Sequence, residues 1–176
     1  ASVLELDIEH MFPKSWWGGE VNQAYCDLFH LVPADYSANR SKSNHAPGIP
    51  SDTTFWNGTL ATGSGSAYGL QKVFCPADEY KGDFARVYFY MATCYQDYTW
   101  KYTYMFNNSS YLTLNQYARN ILLSWHRNDP VSQKERDRND AVFTIQGNRN
   151  PFVDDPNLAE YIWGNRMGET YNGGGS

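Results

Sequence analysis

Glu9 and His10 stand side by side in the stretch Ile8-Glu-His-Met-Phe-Pro-Lys-Ser-Trp-Trp17, and two such groups can divide one hydrolytic reaction between them. A carboxylate can hold a hard divalent cation, while an imidazole, with a pKa near neutrality, can take a proton from water. Phosphodiester hydrolysis needs that activated water, neutralised charge on the phosphoryl oxygens and help for the leaving oxygen. Asn39, in Asn39-Arg-Ser-Lys-Ser-Asn44, offers an amide oxygen as a second, uncharged metal ligand that repels a phosphate less than another carboxylate would. Lys14, Arg40 and Lys42 are nearby cations for a phosphate backbone, and Trp16 and Trp17 are aromatic faces for a sugar or base.

Each of these residues also has a plainer use. His10 could be a core histidine satisfied by a carbonyl, Asn39 a helix cap, and the three cations solvated charges. His30, His45 and His126 read as structural or surface residues, and Asn148-Arg149-Asn150 as a loop lock behind Gly147.

The chemistry depends on elements that bring these groups together. Residues 3–10 alternate as a strand does, with Leu4, Leu6, Ile8 and His10 on one face and Glu5, Asp7 and Glu9 on the other. Glu9 and His10 therefore diverge unless the strand end twists. Residues 13–19 read as a loop from their Pro and Gly-Gly, and residues 28–32 as a short second strand closed by Pro33. Asp35 or Ser37 is suited to cap a helix carrying Asn39 and Lys42 one turn apart. Residues 53–69, rich in Gly, Ser and Thr, suggest a long loop or hairpin.

The second half reads as helical. Phe84, Val87, Tyr88, Met91, Ala92 and Tyr95 form an apolar stripe after Gly82-Asp83. Thr113 with Gln116, and Ser132 with Glu135, match the capping-box pattern, starting helices that end at Asp129-Pro130 and near Gly147. The expected class is α+β: a small β-hairpin with its helix, buttressed by a helical layer.

The 176 residues suit one domain, placed at 1–172 with residues 173–176 as a flexible tail. A net charge of −5 argues mildly against nucleic acid as a partner, but residues 119–149 carry Arg119, Arg127, Lys134, Arg136, Arg138 and Arg149 against four acids, so a local basic face survives. Cys26, Cys75 and Cys94 lack the CxxC spacing of a zinc site, and their pairing stays open. No apolar run is long enough for a membrane span, and no signal peptide is visible; any such leader is expected to have been removed or left out ahead of Ala1.

The chain resembles the bacterial endonuclease I family of His-Me finger (ββα-metal) nucleases, most of all its secreted members. The likeness rests on the residue 8–17 stretch, Asp27-Leu-Phe-His-Leu31, Asn39 to Asn44, Lys81-Gly-Asp-Phe-Ala-Arg-Val-Tyr-Phe-Tyr-Met91, Trp125-His-Arg-Asn-Asp-Pro-Val-Ser132, Glu135-Arg-Asp-Arg-Asn-Asp140 and Ile145-Gln-Gly-Asn-Arg-Asn-Pro-Phe152. It implies a ββα-metal core at about residues 2–46 and a sequence-nonspecific endonuclease that cleaves DNA to 5′-phosphate ends, with RNA left open. It further implies His10 as general base and Glu9 and Asn39 as ligands of one divalent metal, Mg²⁺ first, with Mn²⁺ and Ca²⁺ able to occupy the site. Lys42 matches a basic residue one turn after the metal-binding Asn, and Arg86 falls in a matching Gly-Asp-x-Ala-Arg segment.

The implied setting is secreted or periplasmic, with nucleic acid as partner, no membrane and no protein partner inferable. Three departures stand out. Residues 13–26 are short, with Lys14 as their only cation where relatives place an arginine for the scissile phosphate; Phe29 replaces a common His; and the family's N-terminal helical portion is missing. Two other readings compete. One is a secreted aromatic-rich module that binds glycan or nucleic acid without catalysis, through Trp16, Trp17 or Trp56. The other is a phosphodiesterase for small substrates using the same site.

Overall fold

The computed structural model describes residues 6–65, 69, 71–109 and 111–173. Residues 3–5 of the expected first strand and residues 174–176 of the expected tail lie outside them. The class is α+β, as expected. The named strands end at Pro76, and the long helices follow from Asp78 onwards.

β1 (Leu6–His10) and β2 (Leu31–Asp35) form an antiparallel ribbon in which Glu9 lies opposite Val32 and Ile8 opposite Pro33. β2 begins three residues later than the sequence suggested and runs through Pro33 instead of stopping at it. A two-stranded ribbon explains this, because an edge strand has a side where no N–H is needed. The chain then turns directly into α1 (Tyr36–Lys42), capped by Asp35, whose Oδ1 accepts the Ala38 N–H at 3.0 Å. The ribbon and this helix form a ββα unit.

Of the long loop or hairpin expected at residues 53–69, the described part is a hairpin, and it belongs to a larger sheet. β3 (Ala46–Pro47), β4 (Asp52–Trp56), β5 (Leu60–Ser64) and β6 (Lys72–Pro76) build a second sheet in the order β3-β6-β5-β4. The ββα unit is tied to it where the Ser41 and Thr62 hydroxyls meet at 2.7 Å. Phe74 of β6 packs against Phe84 and Trp125 of the helical layer, at ring separations of 5.3 and 6.1 Å.

That layer comprises α2 (Asp78–Cys94), α3 (Gln116–Asn128) and α4 (Gln133–Gln146), followed by the short α5 (Pro151–Asp154) and α6 (Leu158–Ile162). The Ser132/Glu135 capping box is present, and α4 ends on Gly147 in the left-handed region at φ 83°. The Thr113 box is not what starts α3: Asn115 is the cap, its Oδ1 taking the Ala118 N–H at 2.9 Å.

Phe12, two residues past His10, is fully buried and touches the rings of Trp16, Tyr88, Trp100 and Phe106 at 5.1, 5.1, 5.5 and 5.7 Å. The Tyr88 hydroxyl also donates to the Met11 carbonyl at 2.9 Å. Losing a buried phenylalanine of this kind typically costs about 3–5 kcal/mol. The end of β1 is therefore anchored in the aromatic core, immediately after the two residues it presents.

Candidate active site

Alternation along β1 sends Glu9 towards α1. Glu9 is 6% exposed, and the Lys42 Nζ lies 2.5 Å from its Oε1. Lys42 is itself only 1% exposed and also reaches the His10 carbonyl at 3.4 Å. Charges leave water this completely only when paired. Burial pushes the Glu9 carboxyl up, with Lys42 opposing and Asp7 adding to the rise. Burial likewise pushes the Lys42 ammonium down, with Glu9 opposing.

His10 faces the other way and is half-buried. Its Nε2 lies 3.2 Å from the Tyr25 carbonyl oxygen. A carbonyl only accepts, so a neutral ring carries its proton on Nε2 and keeps the Nδ1 lone pair for a proton from solvent. Burial lowers the pKa of this ring; the Tyr25 carbonyl opposes that, and the Lys14 and Lys42 charges push it further down. His10 is therefore neutral at pH 7, the form a general base requires. Behind it, His30 is fully buried at a ring separation of 5.1 Å, with its Nε2 on the Ala24 carbonyl at 2.7 Å. Burial holds His30 at a pKa of about 4.

Asn39 projects from α1 towards β1, and its Nδ2 donates to Asp7 Oδ2 at 3.0 Å. The strand-end problem is solved here: Glu9, His10 and Asn39 all line one open cleft of about 810 Å³, along with Asp7, Lys14 and Asn44. Among the described residues, no group of three or more His, Cys, Asp and Glu side chains could hold a metal ion. The donors at hand, a carboxylate and an amide oxygen, suit a hard cation that keeps water and substrate in its remaining positions. Asp7 and Tyr25 were not singled out in the sequence. Asp7 carries a usable signal, since it shares the Glu9 face of the strand; the role of a Tyr25 backbone oxygen leaves none.

The substrate-contact candidates separate. Lys14 is exposed at the cleft, with its ammonium 5.3 Å from the Tyr25 ring centroid. Arg40 is exposed on α1 but outside the cleft lining, donating to the Tyr36 hydroxyl at 2.6 Å. Lys42 is spent on Glu9.

Arg86 is buried, contrary to a substrate role. Its Nε and Nη2 meet both Glu135 oxygens at 2.5 and 2.7 Å, and its Nη1 donates to the Asp129 carbonyl at 2.8 Å. Gly82 permits this packing, because a Cβ there would lie 2.1 Å from the same carbonyl.

Trp16 and Trp17 are also interior, at 0% and 4% exposure, so neither can stack on a base from this position. Trp16 lies flat on Tyr102 at 4.6 Å, and its Nε1 donates to the Asn44 carbonyl. That removes most of the support for a stacking module, although Trp56 is 58% exposed. His126 donates through Nε2 to the Pro156 carbonyl at 2.9 Å and is structural, as expected.

The chain is similar to known nucleases. The family model described as Endonuclease I matches residues 3–157. An extracellular ribonuclease of Bacillus subtilis (strain 168) is 34% identical over 92% of the chain and 55% of its own length. An extracellular ribonuclease of Bacillus amyloliquefaciens is 32% identical over the same shares. A periplasmic deoxyribonuclease of Aeromonas hydrophila is 26% identical over 77% of the chain and 50% of its own length. The chain thus spans about half the length of these relatives.

Proposed function

The chain belongs to the endonuclease I family, and from that premise we propose that it is a metal-dependent, sequence-nonspecific endonuclease hydrolysing nucleic-acid phosphodiester bonds to 5′-phosphate ends. One observation carries the reading: a histidine with one ring nitrogen fixed on a carbonyl and the other free shares a cleft with a carboxylate and an amide oxygen. β1, β2 and α1 serve as the His-Me finger of that family, within a single nuclease domain at residues 1–172.

His10 acts as the general base, accepting at Nδ1 the proton of the attacking water. Glu9 and Asn39 hold the divalent metal, Mg²⁺ by the hardness of their oxygens. When bound, that ion supplies charge stabilisation at the phosphoryl and leaving oxygens. Lys42 keeps Glu9 in place, and Lys14 draws the phosphate backbone to the cleft mouth. Contacts of this kind read no bases, so cleavage is nonspecific and weakens as salt rises.

DNA and RNA are both substrates to test, since the relatives carry ribonuclease and deoxyribonuclease names. Their extracellular and periplasmic descriptions support an extracytoplasmic setting. No helix among the described residues is long and apolar enough to cross a membrane.

The test is digestion of supercoiled plasmid and of a folded RNA with Mg²⁺, and again with EDTA. Cleavage of either polymer, stopped by chelation, is the expected result. Turnover of a chromogenic diester with both polymers left intact would overturn the nuclease reading in favour of a small-substrate phosphodiesterase. Binding of the polymers without cleavage under any divalent metal would favour a non-catalytic module.

A further inference from the structure

Two of the contacts between β1 and α1 join side chain to side chain, and each of these ends on a different proposed metal ligand. Glu9 on the strand is held by Lys42 on the helix at 2.5 Å; Asn39 on the helix is held by Asp7 on the strand at 3.0 Å. The spacings match. Asp7 and Glu9 are two apart on one strand face, and Asn39 and Lys42 are three apart on the helix. Each element thus contributes one ligand and one residue that positions the other element's ligand.

We propose that Asp7 is a positioning residue that fixes the orientation of the Asn39 amide, an inference that rests on the assignment of Asn39 as a metal ligand. An amide can present either its oxygen or its NH₂ to a cation, and only the oxygen binds. Rotating the group by half a turn exchanges the two at little cost unless a neighbour distinguishes them. A carboxylate makes that distinction because it only accepts hydrogen bonds. The group facing Asp7 Oδ2 must be the Nδ2 donor, which commits the amide nitrogen and leaves Oδ1 free for the cation.

Asp7 is held in turn. Its other oxygen, Oδ1, accepts the Ile8 N–H at 2.8 Å, so the carboxylate does not swing freely. Both Asp7 and Asn39 line the cleft. Partners that orient metal ligands in this way are typically worth about 10- to 100-fold in metal affinity.

The experiment is Mn²⁺ titration followed by electron paramagnetic resonance on four proteins: wild type, Asp7→Ala, Asn39→Ala and the double variant. Thermal melts without metal confirm that each is folded. The expected result is a loss of about tenfold or more for Asp7→Ala in the wild-type background, and no further loss when Asp7→Ala is added to Asn39→Ala. A loss of equal size in both backgrounds would mean that Asp7 acts only through its charge or as a ligand itself, and would overturn the positioning role. Unchanged affinity in Asp7→Ala, with Asn39→Ala weakened, would overturn it too while leaving the site intact. Unchanged affinity in Asn39→Ala would sink the ligand assignment beneath it. Should Asp7→Ala fail to fold, Asp7→Asn carries the same cycle: its amide can face Asn39 with oxygen or nitrogen, so the orientation is no longer enforced.

Discussion

Among the described residues two glutamates are buried, each facing a cation at 2.5 Å, and they are not equivalent. Glu135, in the helical layer, is saturated: both oxygens take a forked Arg86, and Oε2 also accepts the Ser132 N–H at 3.0 Å. Glu9, in the ββα unit, meets a single ammonium through Oε1 and lies on an open cleft. A guanidinium fills a carboxylate's lone pairs in a fixed plane, whereas an ammonium is a point charge that leaves room beside it. The same pairing of charges therefore makes a structural knot in one region and leaves a carboxylate oxygen unpaired with a cation in the other, as the proposed metal ligand requires. A buried ion pair marks function only when some of its bonding capacity is left over.

The sharpest way to break this comparison is to delete one group from each region. His10→Ala should cost roughly 10²- to 10⁴-fold in the rate of plasmid or RNA cleavage, the usual range for a general base, with little change in melting temperature. Arg86→Ala should do the reverse. It leaves Glu135 buried without its partner, at about 3–5 kcal/mol, or roughly a 10 °C fall in Tm for a domain of this size. Activity per folded molecule should survive at low temperature. Calorimetry with single-turnover assays on both variants checks the pair. If Arg86→Ala kills cleavage in protein that is still folded, the division between knot and site is wrong.

How far the sequence revealed this division follows from the range of each interaction. The Ser132/Glu135 box is contained within four residues and was legible, as was the order of strand, strand and Asn-bearing helix. The second job of Glu135 was not, because Arg86 lies 49 positions away. The sequence pointed to Thr113 as the cap of α3; the fold instead uses Asn115, two residues on and the stronger capping type. For the β4–β5 stretch the Gly, Ser and Thr content left loop and hairpin both open, and the fold makes it a hairpin. Gly63 is there for close strand approach, since a Cβ on it would sit 1.8 Å from the Asp52 carbonyl. Burial was the least visible property of all: Trp16 and Trp17 adjoin the site in sequence yet face the core, while Lys42 went inward to Glu9.

A second pair, His30 and His10, sharpens the same contrast at smaller energy. His30 is sealed at a pKa of about 4 against an ordinary 6.5. A histidine depressed in the folded state stabilises fully above its unfolded value, and that stability is lost as pH falls towards the folded one. Lowering the pH from 7.5 to 5 should therefore remove about 2 kcal/mol through this residue. His30→Gln, which keeps a donor for the Ala24 carbonyl but does not titrate, should be less stable at pH 7.5 and flatter with pH. Urea unfolding at the two pH values measures the difference. Equal slopes for the two proteins would mean that His30 is not the titrating group.

Lys14 should give the smallest effect, and it decides how the cleft meets phosphate. It is exposed, its charge is screened by salt, and its ammonium lies over the Tyr25 ring at 5.3 Å. Such a cation attracts substrate and transition state alike. Lys14→Ala is expected to raise KM by less than about tenfold, leave kcat nearly unchanged and reduce the salt slope of binding by roughly one. A collapse of kcat with KM unchanged would reverse the assignment, because that pattern belongs to a group that strengthens its contact only as the phosphorus is attacked. Lys14 would then stand where relatives place an arginine on the scissile phosphate, and the open side of the molecule would hold a second committed charge beside Glu9.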